Sequence, residues 1–512
     1  MLARTYCYGL EGIDGYRVTV ETNISKGKSL FDIVGLADTS IKESKERVFT
    51  AIKNSGFEFP LHKIIINLAP ADKKKEGPVY DLSVAVGILV CTGLIKPEKA
   101  EEFVILGELS LSGEVRKVNG ILPILISARK DGYKKFIIPD ANKLESSFIE
   151  GVEVYAVKSL EETVQFLSGV LTKEPISANN FIDRRDNETV SAFDFKHIKG
   201  QAHAKRAMEI AAAGGHNILL IGPPGSGKTL LAKAFPSILP ELTFEEALEI
   251  TKIHSIAGEL DSKKGIVLTR PIRTPHHSAT ITSLTGGGLH SKPGEISMAH
   301  NGVLFLDELP EYERKTLEAL RQPLEDGKIT VARAKQTVTY PSNFIFIASM
   351  NPCPCGYFGS SKNTCSCTPA QIHKYLSKLS GPLMDRIDIH IEVDSVSYED
   401  IKSTFEEESS ASIRARVNAA RKIQLERFKK CKIYSNAKMS TTTTKKFCVL
   451  DEESENILKL AFDNLALSAR AYDKILKVAR TIADLEGSEQ IKINHLAEAI
   501  QYRSLDQKYW SV

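Results

Sequence analysis

Residues 218–229 read ILLIGPPGSGKT: four apolar residues run straight into a glycine-rich turn that closes on Gly-Lys-Thr. No other stretch limits the possible folds as much. Four consecutive apolar side chains need burial on both faces of a strand, and a parallel sheet covered by helices provides it. The turn supplies backbone N–H groups rather than side chains. Gly222, Gly225 and Gly227, with Pro223, Pro224 and Ser226 between them, let that backbone wrap phosphate oxygens. Lys228 then reaches the outer phosphates, and Thr229 offers its hydroxyl to Mg²⁺ at the start of a helix. The expected ligands are ATP and Mg²⁺.

A phosphate loop needs a second strand that ends in acid, and GVLFLDE at 302–308 provides one. Alone, an Asp-Glu pair reads as a solvated strand end. Behind four apolar residues in this chain, Asp307 reads as the Mg²⁺ carboxylate and Glu308 as the group that polarises the attacking water. A third apolar run, FIFIASMN, ends at Asn351, whose amide would lie beside the phosphate strand and orient that water. Capping a turn is the plainer role for such an asparagine.

At 512 residues the chain predicts about three domains. Residues 1–170 alternate β-rich runs (Tyr16–Glu21, Lys63–Leu68, Phe103–Leu109, Lys135–Ile138, Val152–Val157) with helical patterns at Asp38–Ser55, Asp81–Gly93 and Asn119–Asp131. A polar stretch, 171–193, reads as a linker. The nucleotide block follows at 194–395, with strands at Asn217–Ile221, Gly302–Leu306 and Asn343–Ala348. Residues 396–512 are helical: Leu458, Phe462 and Leu465, then Tyr472, Ile475, Ala479 and Ile482, recur at three and four. Gly487 stops the longer helix, and a last one is expected over His495–Tyr502 with Asn494 as its cap. TTTT at 441–444 reads as a loop or strand edge. No apolar run approaches the roughly 18–20 residues of a membrane span, and the start has no basic-then-apolar leader. The expected location is the cytoplasm, with reduced thiols.

GPPGSGKT, VLFLDE, SMN and GPLMDRID together resemble an AAA+ ATPase. RTPHHSAT (273–280), PGEISMAHNG (293–302), LRQPLEDG (320–327) and NPCPCG (351–356) narrow the resemblance to magnesium-chelatase-like AAA+ proteins of the ComM/YifB family. The resemblance implies an AAA+ P-loop α/β core, a C-terminal helical lid and a ring, usually a hexamer, with ATP at subunit borders. It makes Arg386 an arginine finger toward the neighbour's γ-phosphate, and Arg470, near a helix start capped by Ser468, the sensor of its own subunit's γ-phosphate. On the residues alone, each arginine reads as a surface ion pair.

The first block, through INLAPADKKKEGPVYDLSVAVGILVCTG and ILGELSLSGEVRKVNGILPILISARKDG, resembles the proteolytic domain of Lon, a ribosomal S5 domain 2-like fold. Lon's nucleophilic serine is matched here by Val79, and its lysine by Pro123. A serine–lysine dyad needs both a hydroxyl and an amine, so an inactive domain is expected, with Ser83 as helix packing.

Net charge is only +3, so any nucleic-acid partner must be argued from local patches. KITVARAKQTVTYP (328–341) alternates apolar and polar residues on two arms, with Lys328, Arg333 and Lys335 and no acid. It is expected to be a hairpin whose tip tracks a phosphate backbone; a solvated hairpin is the plainer reading. The glycine-rich TGGGLHSKPGE (285–295), with His290 and Lys292, is a second pore-loop candidate. Adjacent His276 and His277 are expected to point apart and not to form a metal pair. The resemblance implies DNA as partner, single-stranded or branched, with branch migration in recombination and natural transformation; a chelatase-type or chaperone-like remodeller is the alternative. Cys353, Cys355, Cys365 and Cys367 have C-x-C…C-x-C spacing. Four thiolates there suit structural Zn²⁺, while reduced thiols or an oxidised pair remain open.

Overall fold

Alternating side chains over Leu2–Glu11 and Asp14–Ser25 pair residue for residue across a turn at Gly12, whose φ is +63°. This hairpin centres the first sheet of a computed structural model. The model describes the chain apart from residues 37, 180, 183–192, 262, 289–291, 333–336, 361–362, 397–398, 400–401, 403–405, 432, 466 and 511–512. Residues 180 and 183–192 of the expected linker therefore lie outside the described residues. Two units result: Met1–Asn187 with Phe244–Leu268, and Glu188–Thr243 with Thr269–Val512.

The first unit carries seven strands in the order Leu30–Val34, Lys63–Ala69, Asp14–Ser25, Leu2–Glu11, Phe103–Ile105, Lys135–Pro139 and Glu153–Val157. The hairpin pairs antiparallel with Lys63–Ala69, and its first strand runs parallel to Phe103–Ile105. The helix Asp81–Cys91 is buried along nearly its whole length, as a segment apolar on every side must be. Thr39–Asn54 starts where the Asp38 carboxylate accepts the N–H of Ile41.

Residues 244–268, placed by sequence in the nucleotide block, fold with the first unit. The helix Phe244–Ala257 brings Ser255 to the N-terminus of Ile121–Lys130, where its hydroxyl accepts the Gly120 N–H at 2.9 Å and donates to Glu145. Glu145 also accepts the Leu122 N–H at 3.0 Å and the Asn142 amide at 3.1 Å. At Gly265 a Cβ would stand 2.6 Å from the Leu144 carbonyl carbon, so the backbones meet there.

The second unit holds a five-stranded sheet in the order Ile272–Arg273, Val303–Leu306, Ile345–Met350, Ile218–Ile221 and Ile389–Glu392. Every pairing is parallel. All five carboxyl ends therefore share one edge, where ligands of open α/β sheets bind. Helices including Ala202–Gly214, Ser410–Phe428 and Ala469–Leu485 bury their apolar faces in a core shared with these strands.

Ser468 caps Ala469–Leu485 by accepting the Ala471 N–H, and Gly487 follows its end at φ +67°. Two sequence expectations change. TTTT lies in a helix, Thr441–Phe447, because Ser440 caps it and Thr444 is buried. The later helix begins at Ile493, so Asn494 is inside it; His495 Nδ1 accepts the Lys492 N–H at 3.0 Å and closes the first turn instead. A further helix, Leu505–Trp510, follows it.

Candidate functional site

Each of the three central strands delivers one part of the site. Ile218–Ile221 is wholly buried, and beyond it Gly222 passes so close to the Val393 carbonyl that a Cβ would sit 2.2 Å from its oxygen. Gly225 and Gly227 follow at φ +75° and +89°, the left-handed region that suits glycine. A Cβ on either would meet nothing within 4 Å, so the space over the loop is open. The helix Lys228–Ala234 begins directly after it.

Lys228 is buried and folds back over the loop. Its ammonium donates to the carbonyls of Gly222 at 2.8 Å and Pro223 at 2.9 Å, and lies 3.3 Å from Asn351 Oδ1. Burial pulls its pKa down to about 8, against the attraction of Asp307 and Glu308. Thr229 Oγ1 donates to Asp307 Oδ2 at 2.8 Å, so the hydroxyl and carboxylate expected to share Mg²⁺ are already neighbours. This all-oxygen pair suits a hard cation.

Glu308 is exposed beside Asp307 and holds left-handed backbone, φ +52° and ψ +51°. For a residue with a Cβ this costs on the order of 1–3 kcal/mol, which persists where the surroundings enforce it. Here the Glu308 N–H donates to Asp307 Oδ1 at 3.1 Å and lies 3.3 Å from Ser349 Oγ. Ser349 in turn donates to Asp307 Oδ1. The sequence reading missed Ser349; its signal is its place two residues before Asn351 on the same strand.

The geometry thus joins Lys228, Thr229, Asp307, Glu308 and Asn351 in one cluster. Arg386 and Arg470 lie elsewhere. Arg386 pairs with Glu325, donates to the Pro382 carbonyl and keeps a buried Nε without a partner among the described residues. Arg470 ion-pairs with the same Glu325 at 4.0 Å and with Asp385 at 3.8 Å, and with no group of the phosphate cradle. The two arginines meet at Glu325. Glu325, which joins them, was also missed.

Lys328–Ala332 and Thr337–Pro341 form the expected antiparallel hairpin, with Ile329, Val331, Val338 and Tyr340 buried on one face. Lys328 is exposed at its base; Arg333 and Lys335 lie outside the described residues. Gly286–Gly287 pairs with Lys292–Pro293, while His290 is likewise outside them. His276 and His277 do not point apart: their rings lie 3.9 Å centre to centre. Among the described residues the four cysteines are the one cluster with metal-ligand geometry, all sulfurs lying within 4.8 Å of one another.

At the corner of the first unit, Val79 packs partly buried against the core, and Pro123 is buried in the helix Ile121–Lys130. Asp81 is buried against Arg47 at 2.8 Å, Ser83 is buried against Thr5 at 2.9 Å, and the buried Lys75 gives its ammonium to the carbonyls of Pro70 and Lys73.

Family models described as magnesium chelatase subunit ChlI match residues 194–401 and 20–142, and its C-terminal model matches 407–503. The competence protein ComM of Haemophilus influenzae is 42% identical over 514 residues, covering 98% of both chains. The YifB protein of Escherichia coli is 42% identical over 496 residues, 97% of this chain and 96% of its own. Lon protease 2 of Bacillus subtilis is 26% identical over 198 residues, 36% of this chain and 35% of its own.

Proposed function

The chain belongs to the magnesium-chelatase-like AAA+ proteins of the ComM/YifB family, with a Lon-like front domain, and from this premise we propose that it is a ring-forming ATPase that moves along DNA. The observation that carries the reading is the joined cluster of Lys228, Thr229, Asp307, Glu308 and Asn351 at the carboxyl edge of a parallel sheet.

In this reading the phosphate loop and Lys228 hold the triphosphate. Thr229 and Asp307 would hold Mg²⁺, which would supply positive charge against the outer phosphates. Glu308 orients the water and takes its proton as the terminal phosphoanhydride breaks, with Asn351 fixing the water's position. Arg386 and Arg470, both held by Glu325, serve the nucleotide of the adjoining subunit. Supplying an arginine in trans is worth about 10³–10⁵ in rate in comparable enzymes. That demand for a neighbour is why the reading needs a ring, with a hexamer as the expected size.

DNA is the proposed track. The two-armed hairpin with Lys328, Arg333 and Lys335 offers positive charge without acid, which suits a phosphate backbone read without regard to bases. The name of the ComM relative adds competence, and branch migration of recombining strands is the task that fits it. Proteolysis does not fit, because neither Val79 nor Pro123 can take part in a dyad. The cysteine cluster is proposed to hold structural Zn²⁺, and a cytoplasmic site accords with its reduced thiols. A chelatase-type or chaperone-like remodeller is the competing use of the same ATPase parts.

The test is ATPase rate against single-stranded, duplex and four-way DNA, with Glu308→Gln as the inactive control. Stimulation by DNA, lost in an Arg333→Ala/Lys335→Ala double variant, is expected. Equal rates with and without DNA, alongside stimulation by an unfolded protein or a porphyrin, would transfer the reading to the remodeller.

A further inference from the structure

The loop that carries the four cysteines also touches the phosphate loop. Cys353 is fully buried two residues after Asn351, whose amide oxygen faces the Lys228 ammonium. Three residues on, Gly356 has φ +85°, and a Cβ there would lie 2.4 Å from Pro224 Cδ. Pro224 is the second proline of GPPGSGKT. The cysteine loop therefore rests on the phosphate loop so closely that a side chain cannot be inserted between them.

The far side of the loop is anchored too. Phe358 packs edge-on to Tyr509, with ring centres 6.2 Å apart, and the Tyr509 hydroxyl donates to Glu392 at 2.6 Å. Glu392 ends the strand adjacent to the phosphate strand.

The sulfurs are arranged for a metal. Cys353–Cys355, Cys355–Cys365 and Cys353–Cys365 are 3.3, 3.5 and 3.7 Å apart. Four thiolates around a cation at about 2.3 Å would have sulfur–sulfur edges of about 3.8 Å. Backbone N–H groups already address two of them, Phe358 to Cys353 at 3.3 Å and Cys355 to Cys367 at 3.4 Å. Such donors orient and stabilise metal-bound sulfur.

We propose that this cluster is a metal-set clamp on the nucleotide site: one Zn²⁺-class cation, bound by Cys353, Cys355, Cys365 and Cys367, fixes the contact of Gly356 with Pro224 and the position of Asn351. The proposal rests on the ATP reading of the neighbouring loop. When the cation leaves, four mutually close sulfurs lose the charge that holds them together. The loop then relaxes, and the phosphate loop loses its support. By reciprocity, nucleotide binding tightens the metal by the same factor that the metal tightens nucleotide.

The experiment uses the full chain. Zinc per chain is measured by elemental analysis, and a fluorescent ATP analogue is titrated before metal removal, after removal by a thiol-specific chelator separated on a column, and after zinc is restored. One zinc per chain is expected, with a loss of nucleotide affinity of about tenfold or more on removal and recovery on re-addition. Gly356→Ala is expected to keep its zinc yet bind nucleotide as weakly as the stripped protein, which separates the clamp from loss of the metal fold. Reduced protein without bound metal would overturn the proposal, as would stripped protein with unchanged affinity. Zinc-loaded protein that binds no nucleotide at all would instead sink the ATP reading, and the clamp with it.

Discussion

Replacing Asp388 with asparagine should loosen the helical lid from the nucleotide core. Asp388 is buried in MDRID, the segment that also carries Arg386. One carboxylate oxygen lies 2.8 Å from Lys474 Nζ on the lid helix; the other lies 3.3 Å from His216 Nδ1 and accepts the Asn217 N–H at 3.1 Å. Burial alone would raise its pKa, but Lys474 and His216 outweigh burial and hold it far below the usual carboxylate range. The Lys474 ammonium is buried, and burial draws its pKa down to about 8 while Asp388 opposes that fall. Removing one partner of a buried pair costs roughly 3–5 kcal/mol. The two side chains keep 11% and 16% of their exposure, so the lower end, about 3 kcal/mol, applies. The second unit has about 300 residues, and at about 2.1 cal/mol/K per residue its unfolding entropy is about 0.6 kcal/mol/K. The expected fall in the unit's calorimetric melting temperature is therefore about 5 °C. Adding Lys474→Met to Asp388→Asn removes the stranded charge and should recover most of that loss. A single variant that melts within about 1 °C of the parent, or a double variant no better than the single, would refute the reasoning.

Lys228 predicts a pH profile. Its pKa of about 8 in the free protein rises when a triphosphate is bound, so binding takes up a proton above that pH. Affinity for ATP should be flat below about pH 8 and fall by up to tenfold per unit above it; calorimetric titration in two buffers reads both the affinity and the proton, and a flat profile to about pH 9.5 would count against it. Arg386→Ala and Arg470→Ala should each leave ATP binding within about twofold while lowering turnover by about 10³ or more, if both arginines serve the adjoining subunit's nucleotide as proposed. An Arg470 variant whose ATP affinity collapses would restore the own-subunit sensor reading.

The phosphate strand was legible because ILLI must be buried on both faces, and Asp38, Ser468 and Gly487 mark helix ends by chemistry that acts within a few residues. The hairpin at 328–341 was legible for the same kind of local reason, a period of two on both arms. What escaped depends on partners far away in the chain. Helical periodicity in Phe244–Ala257 shows an apolar face but not which core it enters, and the deciding contact, Ser255 with Glu145, spans 110 positions. Four threonines favour a strand by propensity, yet a serine cap and burial of Thr444 make 441–447 helical. The grouping of Arg386 with Arg470 depends on Glu325, which carries no motif that marks it.

The central claim, hydrolysis at seams between subunits, is tested most directly by mixing two inactive chains. A Lys228→Met chain keeps its arginines, and an Arg386→Ala chain keeps its cradle. Each alone should assemble, by light scattering, and hydrolyse almost nothing. Mixed in equal amounts, about one seam in four joins an intact cradle to an intact arginine, so activity should return to roughly a quarter of the parent's. A mixture that assembles yet stays as inactive as its parts would contradict the account.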